Sequence, residues 1–358
     1  MRLFNCPVCS NLLYFENVTC NQCGHELGFV PEILKIVAFK PQEAAVFTVA
    51  GSDNRYKKCR NYYEHNVCNW LVPEFDEEEY CKACRLNDTI PNLELEGNRI
   101  LWHTMEKEKR RLIYSALQLN LPLMSKDENE QDGLSFSFLS DSPAQFSERE
   151  KVLTGHSQGH ITINLAEADP AERERMRDQM AEPYRTILGH FRHESGHYYW
   201  DRLIANSDYL QACRNVFGDD TENYGDALQS HYTQGPAENW QEQFVSSYAS
   251  SHAWEDWAET WAHYLHIVDT LDTAWQFNLQ AKPRAVSSED YETDVNFNPY
   301  AQRDFSRIVA HWIPLTFALN SLNRSMGHNH AYPFVLSPVV IAKLEFVHKV
   351  IKQQEIVA

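Results

Sequence analysis

Eight of the nine cysteines fall before residue 85, and their spacing restricts how the first quarter of the chain can fold. Cys6-Pro-Val-Cys9 and Cys20-Asn-Gln-Cys23 are two Cys-x-x-Cys pairs separated by ten residues. Each pair brings two thiolates onto one tight turn. Two such turns on facing hairpins make a tetrahedral four-sulfur site, the arrangement of a zinc ribbon. A redox dithiol is the competing reading, but two pairs this close together rarely serve redox chemistry. The segment is too short for a sufficient core, so zinc would supply its folding free energy.

A second set follows: Cys59, Cys68 and Cys81-Lys-Ala-Cys84. It reads as a second four-thiolate zinc site. His65 is a possible substitute ligand, and Cys59 or Cys68 could instead be a small buried hydrophobe. The N-terminus has no signal-peptide apolar core, which makes the cytoplasm the default compartment and favours metal over disulfides. Cys213 stands alone and reads as a buried thiol.

With 358 residues, 43% hydrophobic and 12% aromatic, the chain is long enough for two or three globular domains. No apolar run reaches the roughly 18–20 residues that span a bilayer, so no membrane partner is expected. A net charge of −18 argues against nucleic acid, despite a local basic group at Arg55, Lys57, Lys58 and Arg60. Residues 1–35 place Arg2 and Lys35 against Glu16, Glu26 and Glu32, so a structural or protein-contact ribbon is expected.

The expected divisions are 1–36 for the ribbon, 37–93 for the second cysteine-rich module and 94–358 for the remaining domain. Helical spacing of Ile100, Leu101, Met105, Leu112, Ile113, Ala116 and Leu117 predicts a helix over about 98–121. Its basic cluster, Lys107, Lys109, Arg110 and Arg111, reads as a solvated face. Residues 125–133 read as a polar loop. Strict alternation predicts strands over 134–139 and 160–165. Asp169-Pro170 then caps a helix, and Pro183 marks a break before the next one. Helices are also expected over 303–325 and 338–353.

That next helix carries His193-Glu194-Ser195-Gly196-His197, an H-E-x-x-H. Residues i and i+4 share a helix face, so both imidazoles can reach one metal ion. Glu194 is placed to take a proton from water there. A third ligand cannot come from the extended H-E-x-x-H-x-x-G-x-x-H pattern, because Trp200 and Leu203 occupy its Gly and His positions. Downstream, Glu255 and Glu259 stand i, i+4 among Trp257, Ala258 and Trp261, and carboxylates in such aromatic surroundings are costly unless paired or metal-bound. Glu255 is assigned to the metal and Glu259 to the N–H of a ligating histidine. The two are exchangeable on this reading, with Asp256 a third choice. Asp201 is a further candidate partner. His190, His263, His266, His328 and His330 read as structural or loop residues.

His-Glu-x-Gly-His followed by Glu-x-x-x-Glu in a Trp-Ala-Glu context resembles the gluzincin metallopeptidases, and is similar in particular to the catalytic pattern of anthrax lethal factor. The resemblance implies that Glu255 binds zinc and that Glu259 acts through a ligand. It further implies that Tyr248, seven residues before Glu255, donates to the transition state. Together with its cysteine-rich start, the chain resembles a bacterial family of zinc-binding metallopeptidases with an N-terminal zinc ribbon. The implied fold is α+β: a mostly helical zincin-like domain with a small sheet, preceded by zinc-ribbon modules. The implied activity is zinc-dependent hydrolysis of a peptide or protein, with strand 160–165 holding substrate as a sheet edge. The 57 residues between His197 and Glu255 exceed the shortest gluzincin spacing, so an inserted helical hairpin is implied. A vestigial core serving a ribbon-based binding protein, or a hydrolase of non-peptide amides, are the competing classes.

Metal analysis of the purified chain tests the whole scheme. One catalytic and two structural sites require three zinc ions per chain; two would mean that one site is misread, and none would sink it.

Overall fold

The computed structural model describes residues 2–40, 46–140, 152, 154–180, 186–285 and 288–353. The chain forms two compact units, Met1–Phe191 and Arg192–Ala358.

The first unit begins with short antiparallel ribbons. β1 (Phe4–Asn5) pairs with β2 (Leu12–Leu13), and β3 (Glu26–Val30) pairs with β4 (Lys35–Phe39). β5 (Val46–Thr48), β6 (Arg55–Lys58) and β7 (Leu71–Pro73) form a three-stranded antiparallel sheet, with the one-turn α1 (Arg60–Tyr63) between the last two. The basic residues of β6 and α1 are matched by acids: Arg55 with Glu74, Lys58 with Glu26, and Arg60 with Glu64 and Glu79.

β8 (Asn87–Thr89) leads into the 21-residue α2 (Asn98–Gln118). Phe15, Phe29, Trp70 and Tyr114 come from both cysteine segments and α2, and pack with centroids 5.1 Å apart for Phe15–Phe29, 4.8 Å for Phe29–Trp70 and 5.1 Å for Phe15–Tyr114. One aromatic core therefore ties both cysteine-rich segments to α2, each aromatic removing a large apolar area from water.

The basic cluster of α2 is not a solvated face. Lys109 and Arg110 are buried. Lys109 Nζ lies 2.9 Å from Glu106 Oε1 and also donates to Asn87. Arg110 donates to the Val67 carbonyl, and Arg111 pairs with Glu16 and Glu108. Glu106 and Glu108 stand one turn away on the same helix, but Glu16, Asn87 and Val67 lie on distant segments that the sequence pattern does not show; together these partners offset the usual cost of burying a cation.

β9 (Ser135–Leu139), β10 (Gly155–Ser157) and β11 (His160–Asn164) join β8 in a mixed sheet of order β10-β11-β9-β8. β11 runs parallel to β9 and antiparallel to β10. β11 is thus an interior strand, with β9 along its whole length and β10 on the other side of residues 160–162, which corrects the reading of strand 160–165 as a substrate-holding edge. α3 (Pro170–Met180) follows, capped by Asp169, whose Oδ1 accepts from Ala171 N at 2.7 Å. The predicted break at Pro183 lies outside the described residues, and α4 (Ile187–Leu203) begins shortly afterwards.

The second unit is helical: the body of α4, then α5 (Leu210–Phe217), α6 (Tyr224–Gln234), α7 (Ala253–Gln276), α8 (Phe305–Ser325) and α9 (Pro338–Ile351). A small ribbon of β12 (Gln280–Ala281) and β13 (Thr293–Asp294) precedes α8. α5 and α6 supply the insertion implied between His197 and Glu255. α7 is the hub. His252 caps it by accepting from Trp254 N, and most of its residues are buried. Asp256 on α7 forms a buried ion pair with Lys343 of α9 at 2.6 Å, and Lys343 also donates to the Gln243 carbonyl at 2.7 Å. Among the described residues no helix is long and apolar enough to cross a membrane.

His348 of α9 is buried between Tyr264 Oη, 3.0 Å from Nδ1, and the Arg303 carbonyl, 3.1 Å from Nε2. The carbonyl requires N–H at Nε2, so the neutral ring accepts from Tyr264. Burial pushes its pKa down to about 4. A histidine depressed in the folded state contributes stability that is complete above its unfolded value near 6.5 and is lost as pH falls toward 4. His348→Gln is therefore expected to lower stability most above pH 6.5, on the order of 1–3 kcal/mol. The gap from wild type should shrink on acidification, as read from thermal melts between pH 8 and 4.5. A gap that widens at low pH contradicts this.

Candidate metal centre

The centre depends on how closely α4 and α7 approach. A Cβ built on Gly196 would lie 2.9 Å from Ala258 Cα, 3.2 Å from its carbonyl oxygen and 3.3 Å from its Cβ. Only a residue without a side chain fits, so the two backbones touch. Trp257 Nε1 donates to the Gly196 carbonyl at 2.9 Å, and Trp261 Nε1 to Ser195 Oγ at 3.2 Å. Tyr199 stacks on Trp261 at 4.8 Å. The tryptophans flanking the acidic pair thus fasten α7 to the H-E-x-x-H helix.

Across that crossing, Glu255 Oε2 lies 3.0 Å from His193 Nε2 and 3.5 Å from His197 Nε2. One ligand atom from each of these three buried residues falls within 4.8 Å of the others. Glu255 Oε2 has no hydrogen-bond partner among the described residues. Two imidazole nitrogens and a carboxylate oxygen converging on one point are a donor set that suits zinc.

Glu259 is one turn further along α7. Its Oε1 lies 2.7 Å from His193 Nδ1, and its Oε2 accepts from Ser246 Oγ at 2.6 Å. This directs His193 Nε2 toward Glu255. Burial opposes charge on all three groups, but their mutual contacts win. Glu255 is held well below the ordinary carboxylate range by His197 and His193, and Glu259 is brought down to about 2 by His193. His193 is raised well above its ordinary value by Glu255 and Glu259.

Glu194 is buried beside the ligands. Its charge helps raise the Tyr224 and Tyr248 pKa values, after burial and Glu255. The Tyr248 ring lies 5.9 Å from that of His193. Asp201, a turn beyond His197, is half-buried; burial raises its pKa while the charges of Arg202 and His197 oppose the rise. Asp256 is engaged by Lys343 and is not among the converging ligands. His190 Nδ1 contacts Glu167 at 2.5 Å, whereas His263 and His266 are buried and bonded to Tyr332 and Arg192 respectively. His328 and His330 are exposed. Cys213 is buried, and burial raises its thiol pKa.

Sequence reasoning missed three neighbours: Tyr224, whose hydroxyl donates to Glu255 Oε1 at 2.6 Å; Ser246; and Trp254, whose ring lies 3.7 Å from that of His197. Trp254 adjoins the ligand acid and was within reach of inspection. Tyr224 is 31 residues upstream and no periodicity marks it.

Each cysteine set also converges, Cys6, Cys9, Cys20 and Cys23 in one group and Cys59, Cys68, Cys81 and Cys84 in the other. All are free thiols. Sulfurs bound tetrahedrally to zinc at about 2.3 Å stand roughly 3.8 Å apart. Cys9–Cys20 and Cys6–Cys23 are 3.6 and 3.7 Å apart, and Cys68–Cys81 is 3.8 Å. Backbone N–H groups of Trp70 and Cys81 point at Cys68 and Cys59. His65 lies instead against Trp102. Against the effect of burial, the neighbouring Cys59, Cys81 and Cys84 hold the Cys68 thiol well below its usual value, and Arg110 adds to this.

Residues 98–350 match the family described as "Putative zinc-binding metallo-peptidase", and residues 3–95 match a zinc-ribbon domain. The chain belongs to this metallopeptidase family. Proteins of Mycobacterium tuberculosis and Mycobacterium bovis, named only as uncharacterized, are each 43% identical over 354 residues, covering 99% of this chain and 96% of theirs. No solved structure matches it. Membership and the two cysteine clusters together support zinc as the metal, and the mixed helix-and-sheet fold with its cysteine-rich start is the one that the resemblance implied.

In this member of the family, Gly196→Ala tests the helix crossing. Helix propensity alone would favour alanine by about 1 kcal/mol. The clash with the Ala258 backbone is expected to reverse the sign, with a net loss of about 1–3 kcal/mol. If His193, His197 and Glu255 hold a metal ion, that ion should be lost while metal at the cysteine clusters remains, as read by metal content after mild chelation. A more stable variant with full zinc content would refute the constraint.

Proposed function

We propose that this protein is a zinc-dependent peptidase that hydrolyses peptide bonds, with His193, His197 and Glu255 as ligands of one catalytic zinc and the two cysteine clusters holding one structural zinc each. The observation that carries this reading is the convergence of those three ligand atoms beside Glu194, with Glu259 orienting His193. Zinc there supplies Lewis acidity, lowering the pKa of water and polarising a carbonyl.

The rest is done by side chains. Glu194 accepts a proton from the attacking water and returns it to the leaving amine nitrogen, which otherwise departs as a poor anion. Glu259 and Ser246 keep His193 in one tautomer. Tyr248 donates to the developing oxyanion; burial and the nearby Glu255 keep its phenol protonated, so it remains a donor at neutral pH. Trp254 against His197 restricts water around the ligand ring. The substrate is a peptide or protein, and the cysteine-rich segments are the surface available for a protein partner. A cytoplasmic location is in keeping with the free thiols.

Glu194→Gln preserves shape and removes the base. It is expected to keep its zinc and to lose about 10²–10⁴-fold in kcat/KM on a diverse peptide library. Equal activity of the variant and wild type on that library would contradict the assignment.

A further inference from the structure

α6 is an unusual helix for a globular domain, because none of its residues from Tyr224 to Gln234 is buried. Tyr224 itself is 37% exposed, yet its only polar atom reaches a carboxylate that is 1% exposed. The ring stands edge-on to His252 at 5.4 Å, a contact that phenylalanine would also make, so the hydroxyl is what distinguishes a tyrosine there. Its hydroxyl donates to Glu255 Oε1 at 2.6 Å, while Oε2 faces His193 and His197. The Tyr224 ring also stands edge-on to Trp254 at 5.5 Å.

We propose that Tyr224 is a positioning residue of the metal centre: it occupies Glu255 Oε1, commits Oε2 alone to the ion, and fastens α6 to the ligand. The inference rests on the reading of His193, His197 and Glu255 as ligands. A carboxylate with one oxygen tied to a donor has one orientation left for metal, so less conformational freedom is lost when the ion binds. The Tyr224 hydrogen bond adds to the packing of half-buried Ala227, Leu228, Ser230 and His231, the last with its ring 6.1 Å from that of Tyr248.

Tyr224→Phe retains the ring and removes the hydrogen bond. Zinc affinity at the nitrogen–oxygen site is measured by competition with a chromophoric chelator on the full chain. Cobalt substitution distinguishes this site from the cysteine clusters, because thiolate-to-metal charge transfer is confined to the latter. The expected result is about 10–100-fold weaker binding at this one site. The melting temperature of the chelated protein should be unchanged, as should affinity in Gln229→Ala, an exposed change on the same helix. Wild-type affinity in Tyr224→Phe overturns the proposal while leaving the ligand assignment intact. Absence of metal from this site in wild type overturns both.

Discussion

The contact between Gly196 and Ala258 sets the terms for the second unit. His193 and His197 on α4 meet Glu255 on α7 where the two helix backbones approach more closely than ordinary side chains permit. The second variable residue of the His-Glu-Ser-Gly-His motif, Gly196, is therefore a packing device. Trp257 and Trp261 hold the approach by donating their indole N–H groups to Gly196 and Ser195, so each large ring has its polar atom satisfied where it is buried. The cost of placing Glu255 and Glu259 in this apolar setting is offset by two imidazoles, one serine and one tyrosine.

The metal groups follow two designs. Each cysteine cluster is closed: four sulfurs face one another at tetrahedral spacing, with backbone N–H groups aimed at two thiols of the second cluster. The histidine–glutamate centre offers three ligands and keeps an acid, Glu194, beside them. The first arrangement suits a fold that needs crosslinking, and the second suits chemistry. Arg110 adds to the first design, since a buried guanidinium near a thiolate cluster offsets charge that the interior would otherwise disfavour.

Much of this was legible because it is local or strictly spaced. The Cys-x-x-Cys pairs, the i, i+4 histidines and the i, i+4 acids each state a geometry within a few residues, and the structure brings those groups together. The α2 helix and the two alternating strands followed from periodicity. What failed was relational. Lys109 and Arg110 looked solvated because Asn87 and Val67, which complete their burial, lie on other segments; Glu106, the acid that pairs with Lys109, stands one turn away on the same helix. β11 read as an edge because alternation shows which face is buried, not how many neighbours a strand has. Tyr224 was invisible for the same reason: its partner is set by the path of the chain between His197 and Glu255.

Successive residues on a helix point about 100° apart, and Glu255 and Asp256 use that difference. One faces the histidines and the other is locked to Lys343 of α9. A small rotation of α7 about its own axis would misaim both at once, so the two acids index the helix the way a keyway fixes a shaft. The C-terminal helix, remote from the histidines in sequence, thereby sets the angular phase at which Glu255 is presented to them.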